Sequence, residues 1–338
     1  MDLEMLKERA RIIRRVRSFF DDRNYLELDT PLLAPDLIPE SCLEVFETRR
    51  MVPRGGGCES RPCWLIPSPE IWMKRIIAQH RASVYQICKC FRNGESAGHL
   101  HSPEFTMLEY YTMDADYLDS LALTENLFAY LAESAGQSLR PPFERITVAE
   151  AFGRWAGFDL FEAAAGREGM EAEARRLGLE PLPGLDIPAL YDLIFIHAVE
   201  PRLRQEKPAA LLDYPAFVPC LARRSGGLTG KTVERWELYF KGVELANCYS
   251  EETDPAKVRD FFESEAAAKE QSAAVKHRVD AAYWKHFLPR AGKPFPRCSG
   301  VALGLDRLIM ALTGRSNIDD VLPFPMQQVF TPPTPEKR

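Results

Sequence analysis

The chain has 338 residues, of which 46% are hydrophobic and 27% charged, as in globular proteins with a sizeable core. A formal net charge of −6 argues against a protein that coats nucleic acid through general positive charge, but it leaves room for a local basic surface. The eight cysteines are too scattered for a disulfide framework and lack zinc-ligand spacing, so we expect free thiols in the cytoplasm.

Residues 3–20 predict an amphipathic helix, because Leu6, Ile13, Val16 and Phe20 recur at helical spacing. The helix also carries a group of arginines, namely Arg9, Arg11, Arg14, Arg15 and Arg17. They form either a solvated face or a docking surface for an acidic or nucleic-acid-like partner. This charged start is not a signal peptide, and no apolar run approaches the ~18 residues of a membrane span, so no membrane association is expected.

The following segments predict strands and helices in turn. Residues 25–40 predict a strand punctuated by prolines, and residues 54–62 a glycine-rich loop. Ser68 is expected to cap a helix that starts at Pro69. Two strands, 84–92 and 104–111, are joined by a loop and followed by a helix over 117–135.

The second half predicts a mostly helical segment at 160–210, broken by prolines, and a hairpin over 236–251 that turns at Lys241-Gly242. A charged helical region at 255–287 precedes "CSGVALGLDRLIM", a strand leading into a helix. The order lacks βαβ regularity and a Gly-rich phosphate loop. We therefore predict an α+β fold whose antiparallel sheet is flanked by helices.

Acidic residues lie where strand periodicity predicts a shared face. Phe105, Met107, Glu109 and Tyr111 alternate onto one face of their strand. A carboxylate between an aromatic ring and a phenol is unusual for a core. The face is therefore a binding surface or an exposed edge.

The hairpin adds two more carboxylates, since Glu237 and Glu244 are near-diagonal across its turn. Two close carboxylates repel unless a cation lies between them, and Mg²⁺ is a hard cation that takes oxygen ligands. Asn247, Tyr249 and Glu251 also alternate onto one face.

Two arginines balance these acids. Arg92 ends a strand, and Arg307 opens a helix, where the dipole disfavours a cation unless an anion lies nearby. Glu70 stands at the start of another helix. Carboxylates, metal and arginines together suit a substrate with both ammonium and phosphate groups.

Three stretches resemble the motifs of the class II aminoacyl-tRNA synthetases, specifically the lysyl branch. "LELDTPLL" resembles motif 1, the dimer-forming element, "FRNGESAGHLHSPEF" resembles motif 2, and "GVALGLDRLIM" resembles motif 3. "SPEIWMKR" and "RWELYFKGVELANCYSEETD" also look lysyl-type. The resemblance covers nearly the whole chain and implies a single catalytic domain over residues 1–338 and a homodimer.

The resemblance implies roles at matching positions. ATP would be bound by Arg92, Glu95, His101, Phe105, Glu237, Glu244 and Arg307, with Arg92 and Arg307 catalytic and Glu237 and Glu244 holding Mg²⁺. A lysine-type substrate would be bound by Ser68, Glu70, Glu109, Tyr111, Asn247, Tyr249, Glu251, Gly300 and Ala302.

Several positions depart from the lysyl pattern. Gly94 stands where a glutamate is common, and "NCYSEE" replaces "NGFSEL". Motif 1 arrives by residue 31, so we expect no N-terminal OB-fold that reads an anticodon, and tRNA as a partner is not expected. Ala302 stands where motif 3 has a glycine.

The last two features resemble the free-standing lysyl-synthetase paralogues that modify elongation factor P. That family activates lysine or (R)-β-lysine with ATP and transfers it to a lysine ε-amine of elongation factor P. Two alternatives stay open, a truncated lysyl-tRNA synthetase that charges tRNA and a non-catalytic paralogue that binds an amino acid.

Overall fold

The computed structural model describes residues 2–95, 98–132, 139–204, 206–226, 230–326 and 329. The chain divides into two compact units. The first comprises Met1–Met113, Thr253–Pro296 and Ala302–Arg338, and the second Asp114–Glu252 and Arg297–Val301. A single catalytic domain over residues 1–338 stays a prediction.

The helices, in chain order, are α1 Leu3–Asp21, α2 Glu70–His80, α3 Tyr117–Ala132, α4 Val148–Ala151, α5 Leu160–Ala163, α6 Arg167–Arg176, α7 Ile187–Ile194, α8 Pro255–Ser272 and α9 Leu305–Thr313. The strands are β1 Leu26–Glu27, β2 Leu33–Ala34, β3 Glu47–Arg54, β4 Gly57–Leu65, β5 Val84–Phe91, β6 Glu104–Met113, β7 Glu144–Thr147, β8 Ala209–Pro215, β9 Thr232–Phe240, β10 Val243–Ser250 and β11 Cys298–Gly304. Short π- or 3₁₀-helical turns lie at Phe152–Ala156, Phe195–Val199, Glu200–Leu203, Tyr283–Phe287 and Ile318–Asp320.

The first unit contains a sheet in the order β1-β5-β6, followed by its own part of β11. β1 pairs with β5 in parallel, whereas β5 and β6 are antiparallel, with Cys90 opposite Phe105 and Gln86 opposite Glu109. A separate antiparallel sheet has the order β2-β4-β3. The predicted strand pair 84–92 and 104–111 is confirmed, and its pairing fixes which residues share the Glu109 face.

The second unit continues from its part of β11 through β10, β9 and β8 to β7. The β8–β9 and β9–β10 pairs are antiparallel, whereas the β7–β8 pair is parallel. Its core packs the helices of 148–203 against the sheet, with Phe152, Met170, Ile194 and Leu211 fully buried. The mostly helical segment 160–210 and the mostly antiparallel sheet are thus confirmed.

Two predictions for residues 25–65 are corrected. The predicted strand 25–40 contains only β1 and β2, because its prolines lack the N–H that a ladder needs. The predicted loop 54–62 is instead the end of a hairpin, since Gly55 and Gly56, at φ 53° and 88°, make a tight turn between β3 and β4.

Helix boundaries also differ from prediction. Pro69, not Ser68, is the N-cap of α2, and no side chain caps it. The buried face of α1 consists of Met5, Arg9, Ile12, Val16, Phe19 and Phe20, so it is rotated from the predicted stripe through Leu6 and Ile13. α8 ends at Ser272, well short of 287.

The predicted helix 117–135 is α3 as far as Ala132, and residues 133–135 lie outside the described residues. None of the helices in the described ranges is both long and apolar enough to cross a bilayer.

Candidate active site

Glu109 is a buried carboxylate with one oxygen left unsatisfied. It lies on β6 and is 3% exposed. Its Oε1 accepts a hydrogen bond of 2.8 Å from the Tyr111 hydroxyl, while no group in the described part of the chain donates to Oε2. Burial raises the pKa of Glu109 well above its ordinary value, and the charge of Glu70 raises it further. The expected exposed edge is excluded, and a cationic group would satisfy this carboxylate.

Glu70 and Lys74 form an ion pair beside that carboxylate. Both lie on α2, one turn apart, and the Lys74 Nζ is 2.5 Å from a Glu70 carboxylate oxygen. The Lys74 side chain is 2% exposed, and its Nζ lies 5.9 Å from the centre of the Tyr111 ring. When Glu70 and Glu109 are both ionised, one negative charge remains after Lys74 is counted. The cluster therefore suits one ammonium group.

Arg92 and Phe105 form an aromatic and cationic surface at the ends of β5 and β6. The Arg92 guanidinium carbon is 5.3 Å from the centre of the Phe105 ring. Its Nε is buried without a hydrogen-bond partner among the residues described. A ring and a guanidinium at this spacing can hold a planar base next to a phosphate or carboxylate.

The loop between β5 and β6 adds Glu95 and His101, and Arg307 of α9 contacts this loop. Glu95 lies between Arg92 and His101, with nitrogen–oxygen distances of 3.9 and 3.8 Å, while Ser96 and Ala97 lie outside the described residues. The Arg307 Nε donates a 3.1 Å hydrogen bond to the Leu100 carbonyl. Burial, followed by the charge of Arg307, lowers the pKa of His101. Neutral His101 and three charged groups thus line this loop at neutral pH.

Asp306 holds the start of the Arg307 helix in place. It is 2% exposed, lies 2.6 Å from an Arg9 nitrogen and accepts a 2.7 Å hydrogen bond from the Thr106 backbone N–H. A carboxylate in the first turn of α9 also complements the helix dipole. The acid of the "LDRL" sequence therefore offsets the unfavourable placement of its arginine.

Glu237 in the second unit is held by three donors. Its Oε2 accepts hydrogen bonds from the Tyr214 and Tyr239 hydroxyls at 2.5 and 2.7 Å, and its Oε1 pairs with the Arg235 guanidinium. Glu244 lies opposite Tyr239 in the β9–β10 register, so it is diagonal to Glu237, as the turn spacing predicts.

The carboxylates of Glu237 and Glu244 fit a Mg²⁺ ion that is bound together with a phosphate group. Mg²⁺ is held by one or two carboxylates, with substrate oxygens and waters completing its shell. The described residues contain no group of three or more acidic, histidine or cysteine side chains suited to a metal. Both oxygens of Glu237 are engaged, but Oε1 retains a lone pair, so it could share one ligand position.

The end of β10 carries the other predicted substrate residues. The Asn247 amide donates a 3.1 Å hydrogen bond to the Tyr249 hydroxyl, and its Oδ1 is buried without a partner in the described ranges. Glu251 is 2% exposed. Cys248 is buried, and its Sγ is 3.2 Å from the Ser299 hydroxyl, next to Gly300. Burial raises the pKa of the Cys248 thiol well above its ordinary value, which disfavours the nucleophilic thiolate.

The structure thus groups the predicted residues within each unit. Ser68, Glu70, Arg92, Glu95, His101, Phe105, Glu109, Tyr111, Ala302 and Arg307 belong to the first, and Glu237, Glu244, Asn247, Tyr249, Glu251 and Gly300 to the second. Sequence reasoning missed Lys74 and Arg235. Lys74 was detectable by its i,i+4 spacing from Glu70, and Arg235 by alternation with Glu237.

Comparisons with known proteins agree with these features. The model of the family "tRNA synthetases class II (D, K and N)" matches residues 2–328. An elongation factor P–(R)-β-lysine ligase of Avibacterium paragallinarum and one of Vibrio atlanticus (strain LGP32) are each 34% identical over 325 residues, covering 96% of both chains. That of Proteus mirabilis (strain HI4320) is 34% identical over 323 residues, covering 95% of this chain and 94% of its own. The chain is therefore a ligase that belongs to the class II tRNA synthetase family (D, K and N).

Proposed function

We propose that this ligase activates lysine or (R)-β-lysine with ATP as an aminoacyl-adenylate and transfers the acyl group to a lysine ε-amine of elongation factor P. The observation that carries the proposal is the buried Glu109 carboxylate, whose Oε2 lacks a partner in the described chain and would be satisfied by a substrate ammonium. The names of the relatives support elongation factor P as the acceptor. This chain aligns with elongation factor P–(R)-β-lysine ligases over nearly their full length.

In this proposal, the first unit supplies the groups for ATP and the amino acid carboxylate. Arg92 would contact the carboxylate and the α-phosphate, and Arg307 the γ-phosphate. Phe105 would stack on adenine, with His101 and Glu95 lining the same loop. Their support is the placement of Arg92 against Phe105 and of Glu95 against Arg92 and His101.

The second unit would supply the Mg²⁺ ligands Glu237 and Glu244. When bound, Mg²⁺ neutralises charge that develops on the phosphates and on leaving pyrophosphate. Tyr214, Tyr239 and Arg235 would fix the orientation of Glu237, because they leave its carboxylate little rotational freedom.

Carboxylates and polar side chains would bind the ammonium groups of the substrate. In the first unit, Glu70 would contact the amine near the carboxyl end, and Glu109 and Tyr111 the ε-ammonium. In the second, Asn247, Tyr249 and Glu251 would contact a substrate ammonium. Ser68, Gly300 and Ala302 would set the shape available to the substrate.

The proposed reaction needs no protein nucleophile. The amino acid carboxylate attacks the α-phosphorus in line, and pyrophosphate leaves with the bond electrons. Arg92 and Arg307 accelerate this step by positioning and by stabilising the developing negative charge. The acceptor amine then attacks the adenylate carbonyl, and AMP leaves.

Intact mass measurement of the acceptor tests the proposal. Purified protein, ATP, Mg²⁺ and (R)-β-lysine are incubated with elongation factor P or with bulk tRNA. We expect a lysyl-sized increment on the factor. Charging of tRNA with an unchanged factor would instead support a synthetase, which the family description favours as the second candidate. Ligand binding without adenylate would identify a non-catalytic paralogue.

A further inference from the structure

Two thiols, those of Cys88 and Cys90, lie on the strand that leads into Arg92, and the proposed reaction uses neither of them. Both are free cysteines of β5 and are separated by one residue. Their Sγ atoms are 3.8 Å apart, close enough for one thiol to donate a hydrogen bond to the other. The two sulfurs are therefore in direct contact, although alternate residues of a strand are spaced by two rises, or ~6.5 Å.

The pairing of β5 with β6 places both thiols on the face of the proposed site. Cys88 is opposite Met107 and Cys90 is opposite Phe105, and directly paired residues of an antiparallel ladder point to the same side of the sheet. Glu109 lies two residues beyond Met107 and so shares that side. The thiol pair therefore shares its face with the aromatic ring and the buried carboxylate to which ATP and the amino acid are proposed to bind.

The two thiols differ in exposure. Cys90 is fully buried, whereas Cys88 is partly exposed. The hydrogen bond with Cys88 and then burial raise the pKa of Cys90 well above its ordinary value, so Cys90 stays a protonated thiol at neutral pH. A dissolved oxidant would thus meet Cys88 first, with Cys90 already in contact as the second thiol.

An accessible thiol in contact with a second thiol is the arrangement that peroxides convert to a disulfide. We propose that Cys88 and Cys90 form an oxidation site at which hydrogen peroxide closes an intrachain disulfide that blocks amino acid activation. Formation of this disulfide is independent of the proposed function, whereas its effect on activation rests on the roles proposed for Arg92 and Phe105.

The oxidation balances in atoms and electrons. The Cys88 sulfur attacks one peroxide oxygen and the oxygen–oxygen bond breaks, which gives a sulfenic acid and one water. The Cys90 sulfur then attacks the Cys88 sulfur and displaces its hydroxyl group as a second water. The two thiols together lose two electrons and two protons, and the peroxide takes these up as it is reduced to water.

The disulfide would bend β5 just before Arg92. A disulfide needs Cβ atoms about 3.5–4.5 Å apart, so the strand must shorten locally between the two cysteines. The Arg92 backbone N–H donates a 3.0 Å hydrogen bond to the Pro103 carbonyl, and the Arg92 guanidinium carbon is 5.3 Å from the centre of the Phe105 ring. A bend two residues before Arg92 would displace both groups, and misplacement by about 1 Å can cost roughly 10²-fold in rate.

Peptide mapping tests the disulfide itself. The protein is treated with hydrogen peroxide, its remaining thiols are alkylated, and it is digested with trypsin without reduction. Trypsin cleaves after Lys89, between the two cysteines, so the disulfide should hold residues 82–89 and 90–92 together until a reductant separates them. If the small ring hinders cleavage, an intact peptide 82–92 that is lighter by two hydrogens reports the same bond.

ATP–pyrophosphate exchange tests the effect on activation. Peroxide should lower the exchange rate of the wild type by roughly 10-fold or more, and dithiothreitol should restore it. Cys88→Ser and Cys90→Ala each remove one partner, so both should retain exchange and resist peroxide. Cys58→Ser changes an exposed thiol near the turn of the β3–β4 hairpin and is the matched control, which should stay as sensitive as the wild type.

The contrary results have distinct meanings. Cysteines 88 and 90 left unlinked by peroxide that oxidises Cys58 would overturn the oxidation site. A formed disulfide with unchanged exchange, or peroxide sensitivity that persists in both Cys88→Ser and Cys90→Ala, would overturn its effect on activation. Absence of exchange in the reduced wild type would instead overturn the proposed function, while the peptide map would still decide whether the disulfide forms.

Discussion

Arg92 is the residue on which the activation chemistry depends most directly. We expect Arg92→Ala to abolish ATP–pyrophosphate exchange, because the change removes the cation proposed to bridge the carboxylate and the α-phosphate. Arg54→Ala is the control, since Arg54 pairs with Glu59 on the exposed β3–β4 hairpin. Near-normal exchange by Arg92→Ala would refute the assignment.

The buried Glu109 carboxylate should strengthen substrate binding at a cost in the free energy of unfolding. Glu109→Gln removes a buried charge proposed to pair with the substrate ammonium, so the KM for lysine should rise by a factor equivalent to about 2–5 kcal/mol. Steady-state exchange kinetics measure this change. An unaltered KM would contradict the contact.

The same variant has a predicted pH signature without substrate. The pKa of Glu109 is raised above its ordinary 4.5 in the folded protein. The folded state therefore binds more protons than the unfolded state above that pH, so its stability falls as the pH rises. Glu109→Gln should lose less stability than the wild type between pH 5 and pH 8 in thermal unfolding. Equal losses would show that Glu109 is not desolvated.

Ala302 is the residue that departs most simply from the synthetase pattern. Ala302→Gly removes a methyl group from within β11. The ratio of kcat/KM for α-lysine to kcat/KM for (R)-β-lysine should therefore rise by a factor equivalent to at most about 1–3 kcal/mol. Ala210→Gly, which removes a buried methyl from β8, is the matched control. An unchanged ratio would exclude Ala302 from isomer selection.

At the scale of elements, the Arg9–Asp306 ion pair joins α1 to α9, with Thr106 of β6 bonded to both partners. Arg9→Ala would leave a buried carboxylate uncompensated, so it should lower the free energy of unfolding by about 3–5 kcal/mol. Arg17→Ala breaks an exposed pair with Glu27 and should cost about 0–1 kcal/mol. Similar losses in denaturant titrations of the two variants would contradict the role of the buried pair.

Sequence periodicity predicted the elements in which local pattern and tertiary context agree. Strands β5 and β6 and the two-residue turn of β9–β10 have both alternation and turn chemistry, and positive φ at Lys241 and Gly242 confirms the turn. The β3–β4 hairpin was missed because its strands are exposed and lack apolar alternation. The buried role of Arg9 was missed because its partner, Asp306, is distant in sequence.

The site could be predicted in part for the same reason. Glu109 and Tyr111 are two residues apart on one strand, so periodicity alone grouped them. Assignment of Arg92 and Arg307 depended on motif resemblance, because each arginine alone is equally typical of a surface ion pair.

At the scale of the whole molecule, the motif 1 resemblance predicts a homodimer. Light scattering coupled to size exclusion should give twice the chain mass at micromolar concentration. A single-chain mass throughout would contradict this prediction.

We propose above all that the chain transfers an activated lysine to a protein amine. The most direct test is the intact mass of elongation factor P after incubation with the enzyme, ATP, Mg²⁺ and either α-lysine or (R)-β-lysine. We predict a lysyl-sized increment on the factor that is larger with (R)-β-lysine. An unchanged factor, together with aminoacyl ester on tRNA, would contradict this proposal and identify a tRNA-charging enzyme.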